Sequence, residues 1–263
     1  MKAHCDQRNG FSMIELLTTV AIVGILAAVL LPALSRAKSQ AQSAACKNRL
    51  HQMGMALQLY VHDNEDMYPH YLGPGGNAYG DSTPDRGNAK GLVYWSSKLS
   101  PYYMSIWTNT AYHCPGYKGM IRGPYKDLIN RLGSYAYNAS GVRARRSDNA
   151  WGIGPISFWK KTPTTYVSAV SVADVKVPSE MLAMGDSVTK VKFAGGNDHW
   201  QCGEYWSSEV ATRPYALRHG KSYNVLFCDG HVAEMLPEVL FEPAKTAVMW
   251  NSDHQPHPEL WTL

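Results

Sequence analysis

The chain has 263 residues, of which 45% are hydrophobic and 17% charged, and its formal net charge is +4. A mean hydropathy of −0.29 excludes a protein with many membrane-spanning helices. An aromatic content of 11% excludes a disordered chain. The mild charge argues against a nucleic-acid partner, because a binding surface for nucleic acid must release many counterions.

The first distinctive element is an uncharged stretch at residues 16–35, LLTTVAIVGILAAVLLPALS. Its length matches the roughly 20 residues that a helix needs to cross a bilayer core. Gly24 and Pro32 interrupt it, but membrane helices tolerate both residue types. A soluble helix of this length would carry a polar face, and this stretch has almost none. The stretch therefore predicts a membrane-spanning helix.

The segment just before this stretch, GFSMIELL at residues 10–17, resembles the cleavage and methylation signature of type IV prepilins and type II secretion pseudopilins. The resemblance implies that a prepilin peptidase cuts between Gly10 and Phe11 and then methylates the new amino terminus of Phe11. It makes residues 1–10 a leader and residues 11–35 the membrane helix. It also makes Glu15 the acidic residue that the family holds at this position.

Glu15 has a physical interpretation of its own, because a carboxylate at the edge of an apolar helix is costly and usually has a partner. The Glu15 carboxylate could contact the Phe11 amine of a neighbouring subunit. Alternatively, it could remain at the level of the lipid headgroups. The residues alone leave these two alternatives open. The resemblance favours the contact between subunits.

The predicted helix continues past the membrane as an amphipathic segment, residues 36–66. Apolar residues recur on one helical face at Cys46, Leu50, Met53, Leu57, Tyr60 and Val61. An acidic cluster at 63–66 and Pro69 mark its end. In the family, this part of the helix lies on a globular domain.

Residues 67–263 are expected to form that globular domain. Gly, Pro, Asn and Asp crowd residues 73–91, which predicts a long surface loop. Short strands are predicted at 134–138, 166–172, 181–184, 223–228 and 231–235. The expected fold class is α+β and pilin-like, with a long N-terminal helix packed on a small antiparallel sheet with long loops.

The last two predicted strands flank Asp229-Gly230, which is a strong signal for a type I′ hairpin turn. A two-residue turn would pair Cys228 with His231, and Leu226 with Ala233.

His219 stands ten residues before Asp229, and this spacing resembles the H-x9-DG domain found in one group of prepilin-like proteins. The element spans residues 219–235. His219, Asp229 and His231 are candidates for a metal site, but no HExxH or CxxC spacing accompanies them. We favour a structural role in which the His219 imidazole bonds to Asp229 or to the turn backbone, because a metal site needs three or four ligands. No catalytic or cofactor motif is present, so we expect a protein that is not an enzyme and binds no cofactor.

Cleavage after Gly10 would remove Cys5 and leave four cysteines, Cys46, Cys114, Cys202 and Cys228. Four cysteines in an exported domain allow three disulfide connectivities, and the sequence cannot choose among them. The resemblance favours Cys46–Cys114, because both lie in segments similar to the family, and leaves Cys202–Cys228 as a second bridge. The alternative is a set of buried thiols.

The resemblance implies a structural subunit that assembles through its N-terminal helix into a pseudopilus or pilus-like filament. Its partners would be the prepilin peptidase, other pilin-like subunits and the membrane. It would be a single-pass protein of the cytoplasmic membrane with its globular domain on the periplasmic or extracellular side. Basic residues after the apolar stretch outnumber those before it, which by itself favours the opposite orientation. The alternative function is a membrane-anchored surface module that binds a glycan or another ligand through its aromatic-rich middle.

Overall fold

A computed structural model describes residues 12–74, 92–121, 133–142, 151–154, 169–190, 195–196, 199–200 and 218–260. The chain divides into two compact units, Met1–Ala41 and Gln42–Leu263. The described α-helices are α1 (Met13–Asp63), α2 (Trp95–Tyr103), α3 (Pro237–Leu240) and α4 (Pro243–Trp250). The strands are β1 (Leu72–Pro74), β2 (Leu92–Tyr94), β3 (Tyr135–Asn138), β4 (Leu182–Asp186), β5 (Thr189–Lys190), β6 (Gly195–Gly196), β7 (His199–Trp200), β8 (Tyr223–Phe227) and β9 (Val232–Met235). Short 3-10 helices occur at Thr110–Tyr112, Val172–Asp174, His219–Lys221 and Pro258–Leu260.

Helix α1 is continuous through Pro32 and ends at Asp63, close to the predicted end. Glu65 and Asp66 follow it in the left-handed region, each with φ 57°, which stops further helical hydrogen bonding. The predicted stripe is confirmed in the second unit, where it packs into the core. The buried stripe residues are Cys46, Leu50, Met53, Leu57 and Val61, with Tyr60 half-buried beside them.

The main sheet has five strands in the order β7-β3-β4-β8-β9. The pairs β3–β4, β4–β8 and β8–β9 are antiparallel. The short strand β7 joins the edge of β3 in parallel. The predicted α+β, pilin-like class with a long helix and a small antiparallel sheet is therefore confirmed, with one parallel edge strand added. Two separate two-stranded pairs, β1–β2 and β5–β6, complete the described strands.

Four of the five predicted strands are confirmed with shifts of one or two residues at their ends. The fifth, 166–172, is wrong where the structure describes it, from residue 169 onward. Ser171 forms only an isolated antiparallel bridge with Met67, and a 3-10 helix begins at Val172. The reason is local, because the Ser171 and Asp174 side chains form a capping box that starts this helical turn. The predicted loop at 73–91 lies almost entirely outside the described residues.

The sheet has a hydrophobic core on each face. Residues of α1 pack on one face, together with strand side chains such as Tyr135, Met184 and Leu226. The C-terminal helices α3 and α4 pack on the other face, against strand residues that include Leu182 and Val225. Because successive side chains of a strand alternate between faces, neighbours along each strand enter different cores.

Strand β4 breaks this alternation with a β-bulge. Leu182 pairs with Phe227, but Met184 pairs with Leu226, so Ala183 is an extra residue in β4. A one-residue insertion moves every later side chain of the strand to the opposite face. As a result Asp186 lies on the α1 face of the sheet, where the Cys46 Sγ is 3.6 Å from its Oδ1.

The hairpin that joins β8 and β9 differs from the prediction. The pairing of Cys228 with His231 is wrong, because Phe227 N–H donates to the His231 carbonyl at 3.0 Å. Val225 rather than Leu226 therefore pairs with Ala233. The loop has three residues, 228–230, and its Gly230 has φ +94°. Three-residue hairpin loops place glycine at such a position, so the Asp-Gly signal located the turn but not its length.

Candidate functional site

The apolar surface of α1 in the first unit consists of side chains that nothing in the described chain covers. Every described residue from 12 to 38 is exposed. Among the described residues, α1 is the one helix long and apolar enough to cross a membrane by length and composition. The exposed large apolar side chains include Leu16, Leu17, Val20, Ile22, Val23, Ile25, Leu26, Val29, Leu30, Leu31 and Leu34.

The start of α1 is capped by its own side chains. The Ser12 N–H donates to Glu15 Oε2 at 2.9 Å, and Ser12 Oγ accepts the Ile14 N–H at 3.4 Å. A serine followed three residues later by glutamate is the capping-box pattern, which satisfies backbone donors that a helix start leaves open. The sequence S-M-I-E carries this signal, and our sequence reasoning missed it. Glu15 thus has a structural role within its own chain.

The second candidate site is a buried polar cluster centred on an ion pair between Asp186 and Arg218. Arg218 Nη1 donates to Asp186 Oδ1 at 2.7 Å, and both side chains are fully buried. Arg218 also donates to the Ser134 carbonyl at 2.6 Å and to the Ser187 carbonyl at 2.9 Å. Its guanidinium carbon lies 4.7 Å from the centre of the Tyr117 ring. Such a set of partners is what a buried charge requires.

Two cysteines and a histidine surround the same carboxylate. Cys46 lies on α1, Cys114 follows a 3-10 helix, Asp186 ends β4 and His219 begins the turn before β8. His219 Nε2 is 3.3 Å from Asp186 Oδ2 and 3.3 Å from Cys114 Sγ. One ligand atom from each of the four residues lies within 4.8 Å of the others. His219 holds this place with φ +49°, a left-handed conformation that is uncommon outside glycine.

The charges in the cluster shift the pKa values of its members. Burial alone would raise the pKa of Asp186, but the neighbouring Arg218 outweighs it and lowers that pKa. Burial opposes a charge on His219, yet its contacts with Asp186 and Cys114 raise its pKa to about 9. The hydrogen bond from Cys46 lowers the pKa of Cys114 to about 6, whereas burial raises that of Cys46 well above its ordinary value. These shifts favour a Cys114 thiolate beside a protonated His219 imidazole.

His113 is a neutral imidazole next to the cluster and connects to it through Ser134. Its Nδ1 accepts the Ser134 N–H at 3.1 Å, and its Nε2 lies 2.6 Å from the Trp107 carbonyl and donates to it. Burial lowers the pKa of His113 to about 4. The Ser134 hydroxyl accepts the Cys114 N–H at 2.8 Å, so this network fixes the position of Cys114.

The structure does not join the predicted residues of the H-x9-DG element. The predicted bond between His219 and Asp229 is wrong, because the imidazole of His219 contacts Asp186 and Cys114 instead. Asp229 Oδ1 accepts the His231 N–H at 3.1 Å and lies 2.7 Å from His231 Nδ1. Of the three residues predicted as candidates for a metal site, His219 lies in the cluster, and Asp229 and His231 form a separate exposed contact.

The structure describes three of the four cysteines for which disulfides were predicted. Cys46 and Cys114 lie in the same cluster, and both are free thiols in this structure. Cys228 is also a free, buried thiol. Cys202, together with Gly10 and Phe11 of the cleavage motif, lies outside the described residues.

Sequence reasoning missed Asp186 and Arg218. The sequence held a signal for each residue, since Asp186 directly follows the apolar segment 181–184 and Gly185, and Arg218 directly precedes His219. A charged residue that ends a buried strand usually has a partner, but nothing local in the sequence identifies that partner.

The aromatic residues of the middle region are mainly core residues where the structure describes them. Trp95 stacks on Tyr137 with ring centres 5.2 Å apart, and Trp107 meets Trp95 edge-on at 5.6 Å. All three are buried. These rings stabilise the interior and are not exposed for a ligand.

Among models of known protein families, that of the prokaryotic N-terminal methylation motif matches residues 5–31. No curated protein and no solved structure is detectably similar to the chain. The match supports a type IV prepilin-like protein. The H-x9-DG resemblance remains a prediction.

Proposed function

We propose that the protein is a pilin-like structural subunit that is cleaved after Gly10, methylated at Phe11 and assembled through the N-terminal part of α1. The observation that carries the proposal is the methylation motif at 5–31, which includes most of the uncharged stretch at 16–35 and its exposed apolar side chains. Prepilin-like proteins are generally structural rather than enzymatic. The motif accounts for the cleavage and methylation of the chain. The exposed apolar surface of α1 accounts for its assembly with other subunits.

The exposed apolar side chains of α1 need an apolar environment. Covering a leucine or valine side chain stabilises a protein by about 1.5–3 kcal/mol, so more than ten of them represent a large driving force. The bilayer supplies that environment before assembly, and the same helix of other subunits supplies it in a filament. A prepilin-like protein uses both environments in succession.

Glu15 connects processing to assembly in this proposal. Cleavage after Gly10 creates an amine at Phe11, four residues before Glu15. Opposite charges in a weakly polar environment attract strongly, so the Glu15 carboxylate of one subunit favours the Phe11 amine of the next. This contact would set the axial position of neighbouring helices.

The proposed location is the cytoplasmic membrane, which α1 crosses once, with the second unit on the periplasmic or extracellular side. The motif supports this orientation, because cleavage places the short leader beside the peptidase and leaves the rest of the chain for export. The distribution of basic residues around the apolar stretch opposes it, so the orientation requires its own measurement.

Electron microscopy and cross-linking of cells that hold a prepilin peptidase and a pilus-type assembly system would test the proposal. Wild-type protein should give sheared filaments or a ladder of cross-linked oligomers. Glu15→Ala should remain processed but lose at least roughly tenfold of the oligomers, since the charge partner of the amine is gone. Glu238→Ala removes an exposed glutamate on α3 and should assemble like the wild type.

A processed wild-type protein that stays monomeric in these cells would contradict the proposal. That outcome would favour the alternative, a membrane-anchored module that uses the pilin signal only for export.

A further inference from the structure

We propose that Cys46, Cys114, Asp186 and His219 form a tetrahedral site for one zinc ion, with a structural role in the second unit. The four residues supply two sulfur atoms, one carboxylate oxygen and one imidazole nitrogen. Zinc takes four such ligands in its structural sites. The prepilin motif does not require this site, which is a separate property of the globular unit.

The distances between the ligand atoms fit a tetrahedron around zinc. Zinc–sulfur bonds of ~2.3 Å and zinc–nitrogen or zinc–oxygen bonds of ~2.0–2.1 Å give tetrahedral edges of ~3.3 Å for N···O and ~3.5 Å for S···N and S···O. The observed separations are 3.3 Å from His219 Nε2 to Asp186 Oδ2 and 3.3 Å from His219 Nε2 to Cys114 Sγ. Both values are within a few tenths of an ångström of the expected edges. Cys46 Sγ lies 3.6 Å from Asp186 Oδ1, the oxygen that accepts from Arg218, and within 4.8 Å of the other ligand atoms.

The contact between His219 and Asp186 is longer than the usual hydrogen bond of a charged imidazole and a carboxylate. A charged imidazole bound directly to a carboxylate has N···O distances of about 2.7–2.9 Å. The contact of Arg218 with the same carboxylate, at 2.7 Å, has this length. The contact of His219 with it, at 3.3 Å, is longer and matches the separation between two ligand atoms of one zinc ion.

The charges balance when zinc is bound. Two thiolates neutralise the ion, Arg218 neutralises Asp186, and His219 binds as the neutral imidazole through Nε2. The buried assembly then carries no net charge, which avoids the large penalty for an isolated ion away from water. The side chains of Asp186, Arg218 and His219 are fully buried, so water does not compete for the ion.

The site would connect four segments that are distant in the sequence. Cys46 belongs to α1, Cys114 to the segment after α2, Asp186 to the bulged strand β4 and His219 to the turn before β8. Because four protein ligands occupy all tetrahedral positions, no position is open for substrate, and the role is structural rather than catalytic.

The test is metal analysis of the full chain, purified in detergent without chelator. The result expected is about one zinc per chain. His219→Ala and Cys114→Ser should each lower the zinc content by roughly tenfold or more. Cys228→Ser, which changes another buried free cysteine outside the cluster, should retain the wild-type zinc content.

Cobalt spectroscopy covers the case in which a ligand variant fails to fold. Wild-type protein depleted of zinc and loaded with Co²⁺ should show the intense visible bands of tetrahedral cobalt and a sulfur-to-cobalt charge-transfer band. Folded wild-type protein that binds neither metal would overturn the proposal. A Cys46–Cys114 disulfide found by non-reducing peptide mass spectrometry would also overturn it, because a disulfide leaves no thiolate for the ion.

Discussion

At the scale of single residues, the buried pair of Asp186 and Arg218 is where a small change should have the largest effect. Asp186→Asn leaves the Arg218 guanidinium without its charge partner in a site with no exposure. Breaking a buried ion pair in this way costs about 3–5 kcal/mol. We expect the free energy of unfolding of the full chain in detergent to fall by that amount, measured by chemical denaturation.

The controls separate the lost pair from a general effect of removing charge. Glu238→Gln, at an exposed position of α3, should unfold within about 0.5 kcal/mol of the wild type. The double variant Asp186→Leu with Arg218→Met should recover part of the lost stability, since it leaves no unpaired charge. An Asp186→Asn protein as stable as the wild type would show that the pair is not needed.

His113 should make the second unit sensitive to acid. Its pKa is lowered to about 4 by burial, whereas an unfolded histidine has a pKa of about 6.5. Between these values the unfolded chain takes up a proton that the folded chain does not, so stability falls as the pH falls from about 6.5 to about 4. The loss from this residue should total about 3 kcal/mol.

Denaturation as a function of pH checks the role of His113. His113→Gln should be less stable at neutral pH but should lose most of the slope between pH 6.5 and 4. His51→Gln, at an exposed position of α1, should keep the wild-type slope. An unchanged slope in His113→Gln would assign the acid sensitivity to other groups.

The partners of Asp186 could not be predicted from the sequence, and the reason is physical. The face on which Asp186 lies depends on one extra residue in β4, and the contact with Arg218 spans 32 positions in the chain. A strict alternation along β4 would have placed Asp186 on the opposite face. The cleavage motif and the apolar stretch are different, because local order and length alone define them.

At the scale of elements, helical periodicity predicted the part of α1 beyond the apolar stretch, and short segments between turn residues predicted four strands. The hairpin register was wrong because Asp-Gly fits turns of two and of three residues, and a change of one residue shifts every pair. The 166–172 strand failed in its described part because a side-chain cap competes with strand pairing there.

The close approach of α1 to the sheet gives a test at this scale. A Cβ atom at Gly54 would lie 2.9 Å from Leu226 Cδ1, and because Leu226 is fully buried, a shift of its side chain would disturb the packed core. Alanine gains about 0.5–1 kcal/mol of helix propensity, but overpacking costs about 1–3 kcal/mol. Gly54→Ala should therefore destabilise the protein by about 1 kcal/mol.

A double-mutant cycle shows whether this contact is the cause. Leu226→Val combined with Gly54→Ala should be less destabilising than the sum of the two single changes, by about 0.5 kcal/mol or more. Gly24→Ala is the control, since a Cβ atom there meets nothing within 4 Å. Strict additivity would locate the cost of Gly54→Ala elsewhere.

At the scale of the whole molecule, the apolar half of α1 should decide membrane association. Leu26 and Leu59 lie on the same helix and are 57% and 53% exposed, but only Leu26 lies in the uncharged stretch. An aspartate near the bilayer centre costs about 2.5–3.5 kcal/mol. Leu26→Asp should raise the share of protein that alkaline extraction releases from the membrane fraction, whereas Leu59→Asp should be released no more than the wild type. Equal partition of the two variants would contradict a spanning helix.

The most direct test of the central claim is the mass of the mature amino terminus. The protein is extracted from membranes of cells that contain a prepilin peptidase, and its intact and N-terminal peptide masses are measured. We predict a chain that begins at Phe11 and carries one added methyl group, whereas Gly10→Ala should retain Met1. A wild-type chain that begins at Met1, or one cut after the apolar stretch, would contradict the account.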